Sequence, residues 1–218
     1  LLSAVGFDLT QKNLFAPLLS GAAIVFPEQM HYDAESLVAS IEQEKITWLN
    51  CAPSVFYPLI ALTENNSTTL NSLRHVFLGG EPISAAGIQP WYRESSCQIV
   101  NSYGPTECTD VSHFHVLDKN HHGANIPIGV TIPNVTQYVF DEYLQLVPQG
   151  VVGELYLGGD GVGPGYLNNE VLNQSRFIEN PYKAGERLYK TGDLVKVRKD
   201  QALDYLGRRD FQVKIRGV

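Results

Sequence analysis

The chain has 218 residues, 44% hydrophobic and 18% charged, enough for one large domain or two small ones with a sizeable buried core. A formal net charge of −7 argues against nucleic acid as the main partner, since neutralising phosphates needs a basic face and the most cationic stretch is only Lys196–Lys199. No run approaches the roughly 18 consecutive apolar residues of a membrane-spanning helix, so no membrane partner is expected.

No signal peptide is read at the start. Cys51, Cys97 and Cys108 lie too far apart for a metal motif and read as buried thiols of a cytoplasmic protein. Leu1–Asp8 reads as the middle of an apolar segment, and Phe211–Val218 as an interrupted alternating strand, so both ends are expected to be internal to a longer fold.

Along the first half, helical and extended patterns alternate. Leu37, Val38 and Ile41 fit one helix face over residues 34–44, followed by a buried strand at Ile46–Asn50. Val55, Phe56, Leu59, Ile60 and Leu62 predict a second helix, and the polar stretch Thr63–Ser72 a loop. A strand at Arg74–Leu78 ends in Gly79-Gly80; a helix over 84–94 and a strand at Gln98–Asn101 follow. This order predicts a largely parallel sheet flanked by helices, with ligands beyond the carboxyl ends of its strands.

After the loop Leu117–Pro127 the pattern changes. Val135–Phe140, Gly153–Leu157, Leu188–Lys190, Leu194–Val197 and Leu203–Tyr205 read as short strands between Gly, Pro and Asp turns, with one helix at about 169–177. The fold class is therefore α/β: a parallel-sheet subdomain with flanking helices, then a distorted antiparallel β-barrel subdomain.

Four segments carry candidate chemistry. Asn101-Ser102-Tyr103-Gly104-Pro105-Thr106-Glu107 follows a buried strand; Gly-Pro forces a turn from which a flat ring, a hydroxyl and a carboxylate project. That set suits a base, a phosphate and its Mg²⁺, which prefers oxygen ligands; an ordinary turn with a buried Tyr is the bland alternative. The glycine-dense run Gly153–Leu167 lacks the Lys-Ser/Thr of a phosphate-binding P-loop and reads as tight turns between strands. In Tyr189-Lys190-Thr191-Gly192-Asp193-Leu194 the Asp follows a turn at the mouth of a strand, where it can accept two hydrogen bonds from a ribose diol, although such turns are also common elsewhere. Gly207–Gly217 reads either as a solvated basic strand or as an Arg at a nucleotide followed by a hinge.

With Phe7-Asp8-Leu9-Thr10, these segments occur in an order that resembles the adenylation domains of nonribosomal peptide synthetases, within the adenylate-forming superfamily that also holds acyl-CoA synthetases and luciferases. The resemblance covers essentially the whole chain. It implies ATP-dependent activation of an amino acid as aminoacyl-AMP, then loading onto phosphopantetheine of a peptidyl carrier domain, beside a condensation domain. It implies that Tyr103 stacks on adenine, with Gly79, Gly80 and Gly104 in the nucleotide pocket. Thr106 would contact the α-phosphate and Glu107 hold Mg²⁺, the two catalytic positions present. Asp193 would bind the ribose hydroxyls, Arg208 reach the ribose from the far side, and Asp210 act as the hinge of a mobile lid.

The resemblance also implies a substrate pocket of Phe7, Asp8, Leu9, Lys12, Ser54, Phe77, Gly79, Ser102, Asp110 and Val111. Asp8 pairs with the α-ammonium in the family's amino-acid activators, and an acid lacking the amine would leave it unpaired. Its alternative is an Asp that caps a helix. Lys12 and Asp110 either pair with each other or meet the substrate side chain; the favoured reading is a polar or charged substrate, acidic or amide-bearing through Lys12 or, as second choice, basic through Asp110. Gln11-Lys12-Asn13 and Gly163-Pro164-Gly165 depart from the family's commoner pattern, the latter standing for Ala-Arg-Gly.

The expected division is 1–128 for the α/β part, 129–206 for the β-barrel and 207–218 for the hinge and the start of the lid. The family's phosphate loop would precede residue 1 and its catalytic lysine follow residue 218, so the 218 residues alone are expected to be inactive or nearly so. Two alternatives stay open. An acyl- or aryl-CoA ligase of the same superfamily is disfavoured by Asp8, and a non-catalytic nucleotide-binding domain by Glu107, Asp193 and Arg208 together.

Overall fold

The computed structural model describes residues 6–27, 33–65, 70–121, 123 and 125–209; the hinge position Asp210 and the run Phe211–Val218 lie outside the described residues, as does most of Leu1–Asp8. The chain divides into two compact units. One holds the described residues up to Asn101 with Val116–Ile126, the other Ser102–His115 with the described residues from Pro127 onward.

The first unit contains α1 (Leu9–Leu19), α2 (Ala34–Gln43), β1 (Trp48–Cys51), α3 (Pro53–Asn65), β2 (His75–Gly79), α4 (Ala85–Glu94) and β3 (Gln98–Tyr103), whose last two residues enter the second unit. Three helices start on side-chain caps that satisfy orphan amides. Asp8 accepts from the Leu9 amide at 2.7 Å, Asp33 from Ser36 at 2.8 Å and Ser84 from Gly87 at 3.3 Å. Strand β1 runs parallel to β2, with Trp48 opposite His75 and Cys51 opposite Leu78, and β3 lies beside β2.

Leu37, Val38 and Ile41 turn the apolar stripe of α2 into a core with Phe56, Leu59, Leu73, Val76, Leu78, Ile88 and Ile99. β1 is buried from Leu49 to Cys51, whereas β2 alternates, burying Val76 and Leu78 and leaving His75 exposed. The sequence reading stops short at three places. α1 was not predicted, because its buried positions are the polar Thr10 and Asn13 and it contains Pro17. The loop predicted from Thr63 begins later, since α3 continues to Asn65. β3 runs two residues further than expected, so Ser102 and Tyr103 sit on a strand rather than a loop.

The second unit follows with a 3₁₀ turn at Thr106–Cys108, β4 (His113–Val116), whose last residue belongs to the first unit, β5 (Val130–Thr131), β6 (Val135–Phe140), β7 (Val152–Gly159), α5 (Glu170–Arg176), β8 (Phe177–Glu179), β9 (Arg187–Val197) and β10 (Leu203–Arg208). β4 pairs with β5, and the antiparallel order β10-β9-β7-β6, with β8 also on β9, makes a curled half-barrel. A bridge from Gly129 to Leu203 ties β10 to the chain entering β5. Gly129 sits at φ +93, where a Cβ would lie 1.8 Å from the Phe114 carbonyl oxygen, so no other residue fits.

Val139, Leu155, Leu157, Val195 and Leu203 form one core of the sheet, while Phe140, Tyr156 and Leu188 form another. The alternation along β7 thus feeds both faces. One correction matters for the site. Thr191-Gly192-Asp193 is not a turn between two strands but the middle of the single strand β9. Gly192 at φ +80 and a register shift on the facing β7 between Glu154 and Tyr156 make it a bulge, which re-aims side chains without ending the strand.

Candidate functional site

Each unit carries its own set of the residues singled out in the sequence. In the second unit they converge. Tyr103 closes β3, and the chain reverses so that the Ser112 amide donates to the Tyr103 carbonyl at 2.9 Å. The reversal depends on Gly104, where a Cβ would meet the Asp110 carbonyl oxygen at 2.1 Å. Thr109 and Asp110 both take positive φ, 64 and 67 degrees.

The bulge in β9 brings Asp193 to this point. The Tyr103 phenol donates to one Asp193 carboxylate oxygen, and the Arg208 guanidinium meets the other at 3.2 Å. The bulge is anchored from within: Thr191 donates to the Leu155 carbonyl at 2.7 Å and accepts from the Asp193 amide at 3.0 Å. Asp193 is 6% exposed, and burial, then the Asp193 charge, pushes the Tyr103 phenol well above its usual range. The Tyr103 ring meets His113 edge-on at 5.6 Å and Tyr205 tilted at 6.4 Å. His113 is fully buried between Ser112 (2.9 Å) and Gln137 (2.7 Å), and burial lowers its pKa to about 4.

Beside this cluster the 3₁₀ turn presents Thr106 outward and half-buries Glu107. The Tyr166 phenol donates to Glu107 Oε1, and the Gly163 amide donates to the Glu107 carbonyl at 2.8 Å. Read from sequence as mere turns, the glycine-dense run therefore docks on the turn that carries Glu107. Tyr166, within that run, carries no sequence signal beyond an aromatic amid glycines. Glu154, 3% exposed, meets Arg209 at 3.2 Å and Lys190 at 3.8 Å. Among the described residues no group of three or more His, Cys, Asp or Glu side chains could hold a metal by itself.

In the first unit the residues expected to read a substrate are spread over α1, α3 and β2. Asp8 is the N-cap of α1, so its helix-capping geometry is present, with Oδ1 on the Leu9 amide. Leu9 and Lys12 follow on α1, and Phe7 before it is 38% exposed. Ser54 is exposed on α3, where its hydroxyl and amide bind the Glu81 carboxylate at 2.9 and 3.0 Å. Phe77 packs on Trp48 at 5.5 Å, and Gly79 ends β2 before Gly80 at φ +82. A buried bond joins Asn50 to Asn13 at 2.8 Å. The remaining pocket candidates, Ser102, Asp110 and Val111, belong to the second unit, Ser102 buried and the other two half-buried.

No helix among the described residues is long and apolar enough to cross a membrane. Cys51, Cys97 and Cys108 are all unpaired and buried.

The sequence and the fold both find relatives. A family model described as AMP-binding enzyme matches residues 1–167. Tyrocidine synthase 3 of Brevibacillus parabrevis is 38% identical over 222 residues, covering the whole of this chain and 3% of that protein. The crystal structure of the nonribosomal peptide synthetase FmoA3 bound to alpha-methyl-L-serine-AMP superposes with a TM-score of 0.89 at 30% identity, over 97% of this chain and 24% of that one. NpsA-ThdA, an artificially fused adenylation–PCP di-domain from Klebsiella oxytoca, gives 0.86 at 27% identity, over 99% of this chain and 40% of its own. The chain thus spans only a small part of the relatives it matches.

Proposed function

We propose, since the chain belongs to the family of AMP-binding enzymes, that it forms part of an adenylation domain that activates an amino acid as aminoacyl-AMP, with release of pyrophosphate, in nonribosomal peptide synthesis. The observation that carries the reading is the meeting of Tyr103, Asp193 and Arg208 at the end of β3 with Glu107 on the adjoining turn. A ring, a buried carboxylate and a guanidinium form one end of a nucleoside site, and a hydroxyl and a second carboxylate follow at a distance of three and four residues.

In this reading the Tyr103 ring stacks on adenine, with Gly79, Gly80 and Gly104 leaving room for the base. Asp193 gives up its bond to the Tyr103 phenol to accept the ribose hydroxyls, and Arg208 supports it. Thr106 donates to the α-phosphate. A single carboxylate, Glu107, suits Mg²⁺, which takes one or two protein carboxylates and fills its shell with phosphate oxygens and water. Bound there, the ion would neutralise phosphate charge during attack by the substrate carboxylate.

The amino-acid assignment rests on Asp8 and on the aminoacyl adenylate held by FmoA3. Asp8 Oδ1 caps α1, and Oδ2 would meet the substrate ammonium. Phe7, Leu9, Lys12, Ser54, Phe77, Gly79, Ser102, Asp110 and Val111 would shape the side-chain pocket, Lys12 favouring an acidic or amide side chain and Asp110, secondarily, a basic one. The fused di-domain neighbour supports a peptidyl carrier domain and its phosphopantetheine as acceptor; a condensation domain is the further neighbour proposed. We assign 1–128 to the α/β part, 129–206 to the barrel part and 207–218 to the hinge at Asp210 and the start of a lid, in a cytoplasmic enzyme.

The test is substrate-dependent ATP–pyrophosphate exchange by the intact protein, with a panel of amino acids and acids lacking the amine. Exchange driven by one or a few amino acids is expected. Exchange only with fatty or aryl acids would replace this reading with a CoA ligase, and none with any acid would leave a nucleotide-binding domain.

A further inference from the structure

A carboxylate on a three-residue turn is a poor metal ligand unless something fixes its rotamer, since a half-buried Glu is free to explore several. The contacts around Glu107 supply that restraint, and all of them come from the second unit. The turn is pinned from outside: the Gly163 amide donates to the Glu107 carbonyl at 2.8 Å, and Thr109 donates to the Gly161 carbonyl at 2.7 Å. The side chain is pinned by the Tyr166 phenol on Oε1.

Tyr166 is itself held at several points. Its amide donates to Asn173 Oδ1 at 2.6 Å and its carbonyl accepts from Asn173 Nδ2 at 2.9 Å. Its ring meets Phe177 edge-on at 5.6 Å, and its oxygen lies 3.4 Å from that of the buried Tyr189. Arg187 grips the Gly163 and Pro164 carbonyls at 2.6 and 3.3 Å, fixing the loop that leads into Tyr166. Gly165, at φ +122, lets Asn173 come this close, because a Cβ there would sit 2.7 Å from Asn173 Oδ1.

We infer that Tyr166, backed by Tyr189 and clamped by Asn173, is the positioning residue of the metal-binding carboxylate. By holding Oε1 of Glu107, with the Tyr189 phenol also interacting with that carboxylate, it fixes the orientation in which the carboxylate meets a divalent cation on the nucleotide's phosphates. The inference rests on the proposed function in one respect, the assignment of Glu107 as metal ligand. It gives a chemical task to a sequence block that the nucleotide site does not otherwise use. Partners that orient a metal ligand typically contribute 10- to 100-fold in metal affinity.

The experiment titrates Mn²⁺ into the intact protein with saturating ATP and reads water-proton relaxation enhancement. A parallel assay records half-saturating Mg²⁺ and half-saturating substrate in pyrophosphate exchange. Tyr166→Phe, which removes one hydroxyl and keeps the ring, is expected to raise the Mn²⁺ requirement about tenfold, and Tyr189→Phe about two- to threefold. ATP affinity without metal and half-saturating substrate should stay within about twofold, which a merely structural lesion would not allow. Should Tyr166→Phe not fold, Asn173→Ala loosens the same phenol and is expected to shift the Mn²⁺ titration likewise.

Wild-type Mn²⁺ affinity in a folded Tyr166→Phe or Asn173→Ala protein, alongside weakened binding in Glu107→Gln, overturns the inference and leaves the proposed function standing. Unaltered Mn²⁺ binding in Glu107→Gln overturns the metal assignment on which both rest.

Discussion

In the second unit the candidate side chains are locked to one another, whereas in the first they stand on separate elements. Asp193 meets both Tyr103 and Arg208, Glu107 meets Tyr166, and a glycine is sterically required at 104. In the first unit Asp8 and Lys12 are half-buried positions on one helix, and Ser54 is exposed on another. The difference follows the chemistry proposed for each. A nucleotide is the same in every member of a family, so its site can be woven into the fold. A substrate side chain varies, so its readers gain from standing where replacement disturbs little packing.

Substitutions break or sharpen that contrast. The largest effect is expected from Asp193→Ala, which removes a buried carboxylate bonded both to Tyr103 and to a guanidinium whose side chain is only 15% exposed. Losing one partner of a buried pair should lower stability by about 3 kcal/mol and pyrophosphate exchange at least about 100-fold, read by thermal melting and the exchange assay. Acid should act on the same unit. His113 has a folded-state pKa of about 4 against about 6.5 when unfolded, so the unfolded chain takes up the proton first. Its contribution to stability is therefore full above pH 6.5 and declines as pH falls towards 4, by about 3 kcal/mol in all. Melting temperature against pH should show this slope, flattened in His113→Gln.

Asp8→Ala tests the first unit. Loss of the cap should lower stability by only about 1 kcal/mol. Exchange with the preferred amino acid should nevertheless fall by about 100-fold, the cost expected when a desolvated charge loses its partner. A stability loss without a loss of exchange would make Asp8 a cap and nothing more. Smallest in stability is Lys12→Ala, expected within about 0.5 kcal/mol of wild type by thermal melting while redistributing exchange across the amino-acid panel.

The same contrast decides what the sequence disclosed. Helix α2 was legible because Leu37, Val38 and Ile41 lie on one apolar stripe, and β6 because Val135–Phe140 is bounded by turn residues. Helix α1 was not, since its inward positions are Thr10 and Asn13 and its burial is bought by hydrogen bonding that no hydropathy pattern encodes. Thr191-Gly192-Asp193 was read as a turn because the local signal of a glycine at positive φ is shared by turns and bulges; only the pairing of β9 with β7 separates them. The nucleotide-site residues were named from the order of motifs, yet Tyr166 was left without a task, because its partner Glu107 lies 59 residues away in the chain.

Cys51, Cys97 and Cys108 are 5%, 1% and 2% exposed, and burial pushes the Cys51 and Cys97 thiols up to about 12 and 11. An acyl adenylate is an indiscriminate electrophile, and a thiolate is the nucleophile it meets most readily. Where the acceptor is the visiting thiol proposed above, a reactive thiol beside the adenylate would compete with it. Burial of these three sulfurs keeps them from competing, so their own acylation should be negligible beside transfer to the proposed carrier thiol.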